Sequence, residues 1–145
     1  MGAGAWIKFD KSLFYGLNST IDYSDTGAGA FKCALVLDTW DPSTADDTYA
    51  DISADEHANA NGYLTGGEAL TSVALSNSAG VDKWDAADIS WSANGGNIAA
   101  LYAVIYHVSS GKLIRYCQLE LTDKTAIDGN NFVVQLAADG VYTIT

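Results

Sequence analysis

The sequence predicts an all-β, single-domain β-sandwich, with a jelly roll among the arrangements that fit, carrying a short N-terminal helix and one long acidic loop. Three observations carry that expectation. After residue 18 the apolar residues recur mainly with period two, in short runs separated by turn residues. Fourteen glycines supply many tight turns. The 145 residues are the size of one domain, with no internal repeat, heptad run or dividing linker. The chain therefore divides into an N-terminal arm and helix, 1–18, and a sandwich domain, 19–145.

The arm opens on Gly-Ala-Gly-Ala (2–5), too small to nucleate structure. A helix is expected from Asp10 to Leu17, with Asp10 as its cap and Leu13, Phe14 and Leu17 as its apolar side. Strands are expected at 19–23 (STIDY), 31–38 (FKCALVLD), 68–76 (EALTSVALS) and 88–92 (DISWS). The run 98–108 (IAALYAVIYHV) is apolar on both faces and framed by Gly95-Gly96 and Ser110-Gly111, which predicts a buried central strand. A hairpin turn over 108–112 leads into 112–121 (KLIRYCQLEL), where Leu113, Arg115, Cys117, Leu119 and Leu121 are expected on one face. Residues 131–136 and 141–145 are expected as closing strands, joined at Asp139-Gly140. The segment 39–67 holds the only proline, Pro42, and reads as a turn-rich loop with a short helix near 49–57.

Composition narrows function. Seven basic residues against eighteen acidic ones leave a net charge of −11. So negative a surface is repelled by phosphate backbones and by anionic membranes, so neither nucleic acid nor membrane is an expected partner. No run reaches the ~18 apolar residues of a membrane helix. Residues 1–8 lack the apolar run of a signal peptide, and Trp6 replaces the Ser or Thr of a myristoylation motif, so a cytoplasmic, soluble product is expected. Cys33 and Cys117 form no C-x-x-C pair and read as reduced, half-buried thiols; a bridge needs Cα atoms within about 7 Å.

Catalysis requires convergent polar groups, and none stands out. His107 reads as a hydrogen-bonded structural histidine and His57 as an exposed loop residue. No nucleophile elbow, P-loop or dinucleotide fingerprint occurs, and no cofactor is expected. Asp38, Asp41, Asp46, Asp47 and Asp51 are dense enough to suggest Ca²⁺, but the EF-hand pattern is missing and a solvated acidic loop is the simpler reading. Asp51 and Glu56 are not selected by any spacing as a glycosidase pair. The chain is thus expected not to be an enzyme. Aromatic residues near loops and strand ends are the better clue. Trp6, Ile7, Trp40, Tyr49, Tyr63 and Trp84 are the expected protein-interface residues, because large amphipathic rings favour interfaces. An exposed Trp40 or Tyr63 would equally suit a carbohydrate-binding module.

Several stretches together resemble a family of small virion proteins of tailed bacteriophages. They are Thr48-Tyr49-Ala50-Asp51-Ile52; Asn61-Gly62-Tyr63, then Gly66-Gly67 and Ala69-Leu70; WDAADISWSA (84–93); Gly95-Gly96, Ile98 and ALYAVIY (100–106); and Leu113-Ile114-Arg115-Tyr116 after Gly111. Their order and spacing fit from about residue 20 to the end, with Trp84 where Phe is expected. The resemblance implies a non-catalytic head or tail component, and a capsid decoration (cement) protein in particular. It implies a homotrimer bound to the major capsid protein on the capsid surface, assembled in the host cytoplasm. A tail, neck or fibre-tip adaptor is the alternative within the same family. The arm 1–9 is expected to order against a neighbouring capsid protein.

Overall fold

A computed structural model describes residues 4–144. Met1, Gly2 and Ala3 at the start of the arm, and Thr145 at the end of the last expected strand, lie outside the described residues. The fold is all-β. Its elements in chain order are β1 (Ile7–Lys8), α1 (Ser12–Leu17), β2 (Phe31–Val36), β3 (Glu68–Ala69), β4 (Ala74–Ser78), β5 (Val81–Asp85) and β6 (Ile89–Ser92). There follow β7 (Ile98–Ala100), β8 (Tyr102–His107), β9 (Leu113–Gln118), β10 (Lys124–Ala126), β11 (Asn131–Val134) and β12 (Tyr142–Ile144). They form antiparallel sheets in the orders β1-β9-β8-β2-β3, β10-β7, β11-β6 and β12-β5-β4.

The five-stranded sheet is the middle layer. Its central strands β2 and β8 are apolar on both faces, as strands covered on both sides are. Phe31, Cys33, Leu35, Ala103 and Ile105 point to one core, which the smaller sheets complete with Ile89, Trp91, Ile98 and Phe132. Ala34, Val36, Val104 and Tyr106 point to a second core, closed by Phe9 and by Trp40 and Ile52 of the long loop. Each fully buried Ile, Leu or Phe contributes about 1.5–3 kcal/mol over leaving it exposed.

The acidic segment 39–67 is therefore a structural cover rather than an open loop. Its middle forms two 3₁₀ turns, Tyr49–Asp51 and Ser53–Asp55, where one short helix is expected. Backbone bonds tie it to the sheet at both ends: Leu113 N donates to Asp47 O (3.0 Å), and His57 N donates to Leu35 O (2.9 Å). Its C-terminal end presses onto the sheet at Gly67, where φ is +77° and a Cβ would lie 1.9 Å from Cys33 O. Only glycine fits that close approach.

Several expected elements are changed, each for a local reason. Residues 19–23 form no strand. Asn18 and Asp22 capture the N–H groups of Thr20 (3.1 Å) and Ser24 (2.9 Å), and Ser19 has a φ of 64°. Such side-chain-to-backbone bonds compete with a ladder. The expected strand 68–76 is cut in two by Ser72 at a φ of 54°. The unexpected β5 follows from a two-residue hairpin at Ala79-Gly80, with φ values of 51° and 80°, which pairs it with β4. The apolar run 98–108 crosses between sheets at Leu101: β7 pairs with β10, whereas β8 pairs with β2 and β9. Asp139-Gly140 does not join a hairpin, since β11 pairs with β6 and β12 with β5.

In β9 the expected alternation breaks at a bulge. Ile105 faces Arg115 but Tyr106 faces Leu113, leaving Ile114 as the extra residue. Leu113 consequently joins Tyr116 in the second core, while Ile114 joins Cys117 in the first. Helix α1 starts at Ser12 without a side-chain cap, so Asp10 does not cap it. Ser12 and Tyr15 are its buried residues; Phe14 and Leu17 are exposed.

Candidate apolar groove

An open groove of about 820 Å³ lies between α1 with the following segment and the sheet β12-β5-β4. Sheet register builds its floor. Leu75, Trp84 and Tyr142 lie in one cross-strand row, and Asn77, Asp82 and Ile144 in the next. Both rows are separated by the pleat period of two, so they share a face. Leu13, Leu17, Ile21 and Tyr23 form the opposite wall. Leu17 is 78% exposed and Leu75 53% exposed, although both are large and apolar. The groove therefore presents hydrophobic side chains that the chain itself does not cover.

Trp84 anchors the floor. It is 2% exposed, and its indole N–H donates to Tyr23 O at 2.9 Å. Its ring packs edge-on against Tyr23 and Phe31, with centroids 5.4 and 4.9 Å away. Burial raises the Tyr23 hydroxyl well above the ordinary tyrosine range, so this wall is neutral. Among the described residues, the charged ones lining the groove are Asp22 and Asp82. Hydrogen bonds from the Ser24 hydroxyl and backbone N–H hold the Asp22 carboxyl below the usual carboxylate range. Asn77 Nδ2 donates to Asp82 Oδ1 at 2.7 Å.

Of the six expected interface residues, Trp84 alone lines this groove. Trp40 and Tyr63 are 5% and 1% exposed and belong to the core. Their polar tips are satisfied internally: Trp40 Nε1 donates to Asp46 (3.2 Å), and the Tyr63 hydroxyl accepts from Leu35 N (3.0 Å) and donates to Glu56. Neither ring is free to face a protein or stack on a sugar, which corrects both expectations. Tyr49 is half-buried, stacked on Tyr106 at 4.8 Å, and donates to the same Glu56 carboxylate. Trp6 is half-buried, and its carbonyl accepts from Arg115 (2.9 Å). Ile7 is exposed on β1, paired with Tyr116. The described part of the arm thus lies along β9 of its own sheet.

The carboxylates of the long loop are used locally. Asp47 accepts from Tyr15 (2.6 Å) and Lys112 (2.9 Å), and Asp51 accepts from the N–H groups of Asp47 (2.9 Å) and Thr48 (2.8 Å). Among the described residues no three His, Cys, Asp or Glu side chains converge as metal ligands. His107 Nδ1 lies 2.7 Å from Ser110 Oγ, and burial lowers its pKa. His57 Nδ1 lies 2.7 Å from Ala58 O. Cys33 and Cys117 are buried free thiols. No helix of the described residues is long and apolar enough to cross a membrane.

Sequence reasoning missed Leu13, Leu17, Leu75 and Ile144 as site residues. The signal was there in part: the Ala79-Gly80 turn sets Leu75 opposite Trp84, which puts an apolar row on the β4–β5 hairpin. Comparison with protein-family models, with curated proteins and with solved structures finds no match to this chain.

Proposed function

We propose that the chain is a structural protein of a tailed-bacteriophage virion, and specifically a capsid decoration protein that docks on the outer lattice of the major capsid protein. The observation that carries this reading is the apolar groove. Exposed Leu17 and Leu75 frame a hydrophobic floor on a body of net charge −11. Exposed apolar side chains gathered at one open groove offer a partner a surface to bury. A binding role also suits the way polar side chains are spent, on turns and on fastening the long loop. The particle is proposed from the resemblance of the ordered stretches to small virion proteins. A homotrimer would multiply a modest contact through avidity.

Quantitative gels and labelled antibody on purified virions test the reading. Dense label over the head, at a copy number matching the capsid lattice, is expected. Sparse label at the neck or tail tip would move the assignment to a tail adaptor. Its absence from particles would overturn the virion reading altogether.

A further inference from the structure

We infer that the groove receives an extended, apolar and basic segment of a partner protein, which pairs with the free edge of β4 as an added strand. The inference rests on the docking reading above and names the chemistry of the occupant.

The first argument is the edge itself. β4 is the outer strand of β12-β5-β4, and all five of its residues are exposed. Soluble proteins blunt such edges with charge, proline, a bulge or a cover. β4, Ala-Leu-Ser-Asn-Ser, carries no charge and no proline, and its register with β5 is unbroken. The two-residue turn makes Ser78 and Val81 the closing hydrogen-bonded pair. Alternation then makes Ser76–Lys83 a bonded pair and leaves Leu75 and Asn77 directing their N–H and C=O groups outward. Among the described residues no other backbone group pairs with them. The same two residues supply side chains to the groove floor. A strand added there gains ladder bonds at the edge and packs alternate side chains against the apolar rows, the usual division between affinity and specificity in strand addition.

The second argument is charge. Among the described residues, the two charged ones lining the groove are both acidic, Asp22 and Asp82. A second copy of this chain would bring the same two carboxylates against them, so the arrangement disfavours self-pairing at this edge. A segment that alternates apolar residues with Lys or Arg matches both the rows and the carboxylates.

The test is an array of overlapping peptides spanning the structural proteins of the virion whose genome encodes the chain, probed with the full chain. Capture is expected to concentrate on segments with alternating apolar and basic residues. Asn77→Pro removes an outward N–H and should weaken capture about tenfold or more. Asn77→Lys keeps the N–H but guards the edge with a cation, and should weaken it as well, so the test survives if the proline variant fails to fold. Asp82→Asn should weaken capture about threefold and reduce its salt dependence. If both Asn77 variants leave capture and particle binding unchanged, strand addition is wrong while docking on the particle stands. If the captured segments are acidic or lack alternation, the assigned occupant is wrong. If they come from tail proteins and depend on Asn77, strand addition holds and the capsid assignment fails.

Discussion

The five-stranded sheet and the three-stranded sheet β12-β5-β4 are treated in opposite ways, and their residues differ to match: β2 and β8 read FKCALV and YAVIYH, whereas β4 and β5 read ALSNS and VDKWD. In the first, β2 and β8 are covered on both faces, and the edges are closed by β1 and β3. In the second, one face meets an open groove and β4 is exposed throughout. Residue pattern and cover agree: the strands that carry apolar residues on both faces have both faces covered, and the polar edge strand β4 has no neighbour on its outer side. The chain covers the second face of the larger sheet with its long loop, and covers the smaller sheet only in part, where Tyr23 packs on Trp84 and Tyr142 while Leu75 stays exposed. That asymmetry is the reason for assigning stability to the first and the proposed docking role to the second.

Substitutions can break this comparison. Ile105, fully buried in the middle sheet, should cost about 2–5 kcal/mol when changed to Ala. Leu75→Ala on β4 should stay within about 0.5 kcal/mol. Denaturant titration of both variants checks the contrast, and equal losses would refute the division of labour. Next in size is the fastening of the loop. Glu56 accepts from the Tyr49 and Tyr63 hydroxyls and from Gly66 N (2.7 Å), and Tyr106 donates to Gly66 O (2.7 Å). Glu56→Ala strands these donors and should cost about 2–3 kcal/mol. Limited proteolysis should then cut within 39–67 at protease levels that spare the native chain.

A smaller effect is expected at acid pH. Burial pushes the Asp47 carboxyl up, but hydrogen bonds from Tyr15 and Lys112 and the charges of Lys112 and Lys11 outweigh it, leaving the pKa lowered. A lowered folded pKa contributes stability above the unfolded value of about 3.9, and that stability is lost as pH falls through the folded pKa. Melting temperature should therefore drop below about pH 4, and Asp47→Asn should flatten that part of the profile. A profile unchanged by the substitution would remove Asp47 from the acid response. The smallest change concerns the thiols. Burial raises Cys33 well above its ordinary value and pushes Cys117 up to about 12. Both should resist alkylation at pH 8 until the chain unfolds; prompt labelling of the native chain would show an opening that the packed sheet does not provide.

Much of the fold was legible because strand periodicity is a property of the local sequence. Residues 31–38 and 88–92 read correctly, and the hairpin over 108–112 is formed. What was hidden depends on pairing. The change of sheet at Leu101 and the bulge at Ile114 leave no mark in an apolar run, because both sides of either break are buried. The aromatic residues misled for the same reason. Trp40 and Tyr63 stand in polar surroundings in sequence, yet the loop folds back and buries them on the sheet. The groove was missed because Leu13 and Leu17 carry helical spacing, which predicts a buried face. Here the buried residues of the short helix are Ser12 and Tyr15 instead; Leu13 is half-buried against the core and Leu17 points outward.

The most direct test of the central claim is hydrogen exchange of the chain, free and bound to purified virions. The account predicts slowed exchange across residues 74–78 on binding, with the already slow middle sheet unchanged. Protection that appears instead on 39–67 or on the N-terminal arm, with 74–78 unaltered, would place the docking surface elsewhere and contradict it.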